Sequence, residues 1–262
     1  MTDIFNQGLF FWRDLRTSDP EKAKSFYTEL LGWTIYPQSM GEYTYDMIGI
    51  AEVPFGGITP LEPAETEAGA PSHWISYVGT PDVDATTKKV AELGGKVVME
   101  PMDIPTIGRF SVDTDPTGAY FCPMHWDNPM DIDPFATPPV GGVTWNELYT
   151  SDVDAAVDFY TKLNGYKVHR STMEGFGDYV MLAVEHDGTE KDIAGVAPRP
   201  EGMPMSAWGI YFRVADIDAA IARIGELGGK VIMGPMEIPG TGKIAAAFDP
   251  TGAAFNIHQI VE

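Results

Sequence analysis

Cysteine is almost missing from this chain: its 262 residues hold one, Cys122. A lone thiol forms no internal disulfide and no cysteine-rich zinc site, which excludes a disulfide-stapled secreted scaffold. Basic residues are scarce as well, 17 Lys and Arg against 38 Asp and Glu, for a formal net charge of −21. A surface that negative repels phosphate backbones and anionic headgroups, so neither nucleic acid nor a membrane is expected as a partner. No run approaches the ~18 apolar residues of a membrane span. Met1-Thr2-Asp3-Ile4-Phe5-Asn6 lacks the basic-then-apolar pattern of a leader. A soluble, cytoplasmic protein is expected.

What the chain does have is a repeat. Leu93-Gly94-Gly95-Lys96-Val97 recurs at Leu227-Gly228-Gly229-Lys230-Val231, and Asp115-Pro116-Thr117-Gly118-Ala119 recurs at Asp249-Pro250-Thr251-Gly252-Ala253, both at an offset of 134 residues (93 to 227, 115 to 249). Trp12-Arg13-Asp14-Leu15 answers Trp145-Asn146-Glu147-Leu148, and Phe26-Tyr27 answers Phe159-Tyr160. Two five-residue identities in one register mark a tandem duplication. Asp127 to Pro139, rich in proline and acid, fits neither helix nor strand period and reads as a linker. The expected domains are therefore 1–126 and 141–262, with the linker at 127–140.

Each half reads as strand, helix and short strands, then the same again. Ser18-Asp19-Pro20-Glu21 has the form of a capping box with Ser18 as N-cap. Ala23, Phe26, Tyr27, Leu30 and Leu31 then make one helical stripe ending at Gly32, repeated as Ala156, Phe159, Tyr160 and Leu163 ending at Gly165. Second helices start at Asp82 and Asp216. Tyr43 to Met47 alternates as a strand, Gly56-Gly57 reads as a turn, and Asp-Pro-Thr-Gly is turn chemistry before a last strand. The chain thus holds four β-α-β-β-β modules, an α+β class.

These features together resemble the vicinal oxygen chelate superfamily of glyoxalases, bleomycin-resistance proteins and extradiol dioxygenases. The resemblance covers nearly the whole chain apart from the linker, and Trp145 to Leu148 is similar to a strand of the tandem glyoxalase-like proteins of bacteria. It implies paired modules whose mixed sheets curl into cups, one per half. In that superfamily His, Gln or Glu side chains hold a divalent metal in the cup. The matching positions here carry Trp12, Ile75, Cys122, Trp145, Gly209 and Asn256. Trp, Ile and Gly offer no side-chain ligand, so no metal and no other cofactor is expected.

Alternation along the strands lines the first cup with Trp12, Asp14, Arg16, Ile75, Tyr77, Cys122 and Met124. It lines the second with Trp145, Glu147, Tyr149, Tyr211, Arg213, Asn256 and His258. A carboxylate enclosed beside a tryptophan loses solvation and gains the raised pKa of a general acid or base. The competing reading pairs Asp14 with Arg16 or with a neighbouring backbone. Among the histidines, His73 and His258 face inward, whereas His125 packs and His169 and His186 are solvated. The expectation is a small-molecule-binding protein and, if catalytic, a metal-independent lyase or isomerase acting on an apolar or aromatic carbonyl compound. Catalysis would fall to Glu147, His258, Tyr211, Arg213 and Asp14; substrate contacts would fall to Trp145, Tyr149, Asn256, Trp12 and Tyr77. Greater polar convergence favours the second cup. The alternatives are a non-catalytic sequestering protein and a metal-dependent enzyme with shifted ligands Glu147 and His258. Four modules in one chain allow a monomer as well as a homodimer.

Overall fold

The computed structural model describes residues 4–40, 44–130, 132–173 and 177–261. The readings of Met1 to Asp3, Tyr43 and Asp131 lie outside them. The first module is β1 (Phe10–Thr17), α1 (Pro20–Leu31), β2 (Thr34–Ser39), β3 (Thr44–Ile50) and β4 (Val53–Pro60). After a short helix α2 (Pro63–Glu67) the second is β5 (His73–Gly79), α3 (Val83–Glu92), β6 (Lys96–Ile104), β7 (Gly108–Thr114) and β8 (Tyr120–Trp126). The third is β9 (Val143–Thr150), α4 (Val153–Asn164), β10 (Lys167–Met173), β11 (Gly177–His186) and β12 (Thr189–Pro198). The fourth is β13 (Ala207–Arg213), α5 (Ile217–Glu226), β14 (Lys230–Ile238), β15 (Gly242–Phe248) and β16 (Ala254–Ile260).

Two eight-stranded mixed sheets result. The first has the order β2-β3-β4-β1-β5-β8-β7-β6, and the second repeats it as β10-β11-β12-β9-β13-β16-β15-β14. Each module's first strand lies parallel to its last, which the crossover helix requires, and the hairpins between are antiparallel.

Four helices start the same way. Asp19, Asp82, Asp152 and Asp216 each accept the backbone N–H three residues on, at 2.9–3.1 Å. The N-cap of α1 is therefore Asp19 and not Ser18, whose own N–H donates to Ser72 Oγ at 3.1 Å. A carboxylate accepts this bond and also sits at the positive end of the helix, so it displaces the serine one residue earlier. A second correction concerns Gly56-Gly57, which is no turn but the middle of β4. A Cβ on Gly56 would run into the carbonyl of Arg13, and one on Gly57 into the ring of Tyr45. Close approach, not chain reversal, requires those glycines.

The chain packs as two compact units, each drawing one module from either half. One is Met1–Trp12, Ser76–Ala136 and Trp145–Trp208; the other is Arg13–Ile75, Thr137–Thr144 and Gly209–Glu262. In the latter, α1 and α5 bury Phe26, Tyr27, Ile217 and Ile224 with Leu15, Trp33, Phe212 and Phe255. Tyr27 stacks on Trp33 at 4.7 Å, and its hydroxyl donates to Asp249 Oδ2 at 3.1 Å. In the former unit Tyr160 packs on Phe121 and Trp208, accepts from Trp208 Nε1 at 2.9 Å and bonds Asp115. The repeated Phe-Tyr and Asp-Pro-Thr-Gly motifs are thus partners: a buried hydroxyl needs an acceptor, and a buried carboxylate needs donors. Among the described residues no helix is long and apolar enough to cross a membrane.

Candidate functional site

Glu147 sits in the middle of β9, where alternation turns Leu148 fully into the core and Trp145, Glu147 and Tyr149 to the other face. Its Oε2 accepts two bonds, from Tyr179 Oη at 2.7 Å and from Trp145 Nε1 at 3.0 Å. Tyr179 Oη also accepts from Trp145 Nε1 at 2.9 Å, closing a three-membered network. Glu147 Oε1 is buried and has no hydrogen-bond partner among the described residues. Trp145, Tyr149 and Tyr179 are half-buried, so aromatic surface flanks a carboxyl that is only 4% exposed.

Burial pushes the Glu147 carboxyl up to about 7, against the opposing pull of the Tyr179 and Trp145 hydrogen bonds. Desolvation penalises the charged form more than two neutral donors can repay. The same burial, with the neighbouring carboxylate, holds the Tyr179 hydroxyl far above its ordinary value, so it stays a donor.

Tyr179 was not singled out by the pattern of the sequence, nor was Gly195. Gly195 pairs with Glu147 across β12 and β9, and a Cβ there would overlap both Tyr179 Oη and Glu147 Oε2. The first module builds the same arrangement. Asp14 is paired with Gly57, Tyr45 Oη donates to Asp14 Oδ1 at 2.5 Å, and a Cβ on Gly57 would meet that tyrosine. Tyr45 and Tyr179 share the 134-residue offset of the longer repeats (45 to 179), a signal present in the sequence. The copies differ two residues on. There the first has Arg16, which feels the Asp14 charge and reaches Glu65 at 2.5 Å and Glu62 at 3.5 Å. The second has Tyr149 in that place, which brings no positive charge to Glu147.

The other expected site residues fall as follows. Trp145 and Glu147 are brought together; Tyr149 bears electrostatically on Tyr179. Tyr211, Arg213, Asn256 and His258 belong to the other compact unit. Asn256 Nδ2 donates to Ile210 O at 3.3 Å, and Arg213 Nη1 donates to Pro138 O at 2.8 Å. His258 Nδ1 meets Thr144 Oγ1 at 3.1 Å and Nε2 meets Thr241 O at 3.3 Å; burial lowers its pKa. Trp12 packs on Trp126 at 5.4 Å and Tyr77 on Phe110 at 5.9 Å.

Among the described residues no three His, Cys, Asp or Glu side chains gather in a way that could hold a metal ion. The immediate partners of Glu147 are an indole N–H and a phenol, which are donors and not ligands for a divalent cation. The site does not fit the metal of the superfamily.

Comparison with known proteins gives the same fold. The "Putative glyoxylase CFP32" of Mycobacterium tuberculosis is 36% identical over 256 residues, 97% of this chain and 95% of that protein. The anthracycline biosynthesis protein DnrV of Streptomyces peucetius is 34% identical over 271 residues, 98% of this chain and 95% of its own length. Among solved structures, the Mn(II)-bound glyoxalase from Novosphingobium aromaticivorans matches with a TM-score of 0.63 at 16% identity, covering 98% of this chain and 83% of that one. The 2,3-dioxygenase LapB from Pseudomonas sp. KL28 matches with a TM-score of 0.63 at 15% identity, covering 97% and 93%. The sequence profile of the Glyoxalase/Bleomycin resistance protein/Dioxygenase superfamily matches twice, over residues 10–122 and 142–257. This chain belongs to that superfamily, as a tandem pair of its domains.

Proposed function

We propose that this protein binds a small apolar or aromatic carbonyl compound and moves a proton on it with Glu147, as a lyase or isomerase that needs no metal. The observation that carries the reading is the buried Glu147 carboxyl, pushed up to about 7, with one oxygen held by two donors and the other without a partner among the described residues. A general base works best when its pKa lies near the working pH. The held oxygen fixes the orientation of the carboxylate, and Oε1 is the atom left to take a proton from carbon next to a carbonyl and return it elsewhere. Half-buried Trp145, Tyr149 and Tyr179 supply the apolar faces that a small organic molecule would pack on. Relatives named for glyoxylase and for anthracycline biosynthesis support a small organic substrate.

The test is a panel of aromatic and 2-oxo compounds, scored in parallel by thermal shift and by turnover. A compound that stabilises and turns over, with at least a tenfold loss of turnover in Glu147→Gln and little loss in Asp14→Asn, supports the reading. Stabilisation without turnover across the panel would instead make this a binding protein. Turnover that survives Glu147→Gln would remove the carboxylate from the chemistry.

A further inference from the structure

The second and fourth modules share a fold and differ in their wiring. The 134-residue offset sets Gly79 against Arg213, Arg109 against Lys243, and Asp103 against Glu237. In the second module the cation is consumed. Arg109 donates through Nε and Nη2 to Asp84, at 2.8 and 2.9 Å, and through Nη1 to Asp103 at 2.8 Å. At Gly79 a side chain would strike the Phe5 backbone.

In the fourth module both positions change. The Gly141 N–H donates to Arg213 O and the Arg213 N–H donates to Gly142 O, each at 2.7 Å, and Nη1 donates to Pro138 O. Arg213 is half-buried at the end of β13, and the Nε–Nη2 edge of its guanidinium makes no hydrogen bond among the described residues. Neither Arg213 nor Lys243 forms an ion pair among those residues, in a chain with more than twice as many acids as bases. Both line one cavity of about 480 Å³, together with Glu237 and an apolar wall that includes Val214, Ile238 and Ile260. Among the described lining residues the charged side chains are Arg213, Lys243 and its cross-strand neighbour Glu237, a formal net charge of +1. The unbonded Nε–Nη2 edge keeps its N–H donors in the fork geometry that matches a carboxylate.

We propose that this cavity binds a small organic carboxylate. The Nε–Nη2 edge of Arg213 takes the carboxylate in the two-pronged geometry that arginine favours, and Lys243 adds charge from the rim. The apolar wall takes the hydrocarbon body, which distinguishes the ligand from a bare inorganic anion. The site is independent of Glu147, whose network lies wholly in the other compact unit.

The experiment is calorimetric titration of the full chain with benzoate, cyclohexanecarboxylate and hexanoate, with benzyl alcohol and inorganic phosphate as controls. Saturable binding of at least one carboxylate is expected, weakened tenfold or more by Arg213→Gln and several-fold by Lys243→Gln, and tightened by Glu237→Gln. Lys243 and Glu237 are surface positions, so those two variants keep the test open should Arg213→Gln fail to fold. Benzyl alcohol should not bind. The proposal is overturned if no carboxylate binds saturably, or if binding is lost in Glu147→Gln and unchanged in the three cavity variants. Phosphate displacing benzoate at equal concentration would overturn it too, by making this a site for inorganic anions.

Discussion

Glu147 is held in a state that costs stability, and the cost can be measured without knowing a substrate. Its folded pKa of about 7 lies above the ordinary 4.5, so the folded chain keeps this proton to higher pH than the unfolded one. Both forms are protonated below about pH 4.5 and no penalty exists there. Stability then falls as pH rises through the window from 4.5 to 7, and the full penalty applies above it. At about 1.4 kcal/mol per pKa unit that penalty is at most about 3.5 kcal/mol. Glu147→Gln should therefore melt several degrees above the wild type at pH 8, with the difference closing towards pH 4.5. A constant difference across that range would mean that Glu147 does not titrate there. Tyr179→Phe removes a bond that lowers the Glu147 pKa and should move the midpoint of this effect to higher pH, measured by the same melting series. Tyr149→Arg restores the charge found at Arg16 in the first copy and should move it down. Most of this network was hidden in the primary structure. Burial beside Trp145 was legible from alternation along β9, whereas Tyr179, 32 residues on, reaches Glu147 only because β11 and β12 fold back beside it.

At the scale of single elements, the duplicated helices and hairpins allow one copy to act as a control for another. In the second module, α3 and β7 bury a polar chain: Thr87 Oγ1 donates to Ser111 Oγ at 2.8 Å, and Ser111 Oγ donates to Asp113 Oδ2 at 3.0 Å. Asp113 is fully buried, its Oδ1 has no partner among the described residues, and burial with the nearby Glu100 charge pushes its pKa up to about 6. The fourth module fills the equivalent places with Ile221, Ala245 and Ala247, so the fold does not need the polar chain. Replacing it as a set (Thr87→Ile, Ser111→Ala, Asp113→Ala) should raise the melting temperature at pH 8. The part of the gain due to the carboxylate should shrink as pH falls from 6 towards 3.8, where Asp113 is protonated in both states. A triple variant less stable than the wild type at pH 8 would show that the chain of hydroxyls contributes more than the carboxylate costs.

Over the whole molecule, sheet and core divide the chain differently. Each sheet is made from one half, but each compact unit needs a module from both. Residues 1–126 alone would carry only part of either unit and would expose Phe26 and Tyr27, which in the full chain are buried with Phe212 and Phe255. Expressed separately, 1–126 and 141–262 should be unfolded or self-associated, and mixing them should restore native helicity and one heterodimeric species, read by circular dichroism and gel filtration. Independent, monomeric folding of either half would contradict this.

The boundary between sequence and tertiary structure falls where interactions stop being local. The repeated module pattern, three helix starts to within a residue (Asp19, Asp82 and Asp216), two helix ends at Gly32 and Gly165, and the α+β class were all determined by the sequence, because capping, the 3.6-residue period and turn chemistry act within one helical turn or one hairpin. The repeat of Phe-Tyr and Asp-Pro-Thr-Gly was equally plain, yet its meaning was not. Tyr27 finds Asp249 across 222 residues, and only the fold makes them partners. The same holds for the protonation of Glu147 and for the counter-ions that Arg109 has and Lys243 lacks among the described residues. Desolvation and pairing depend on which segments come to lie beside a charge, and no local period encodes that.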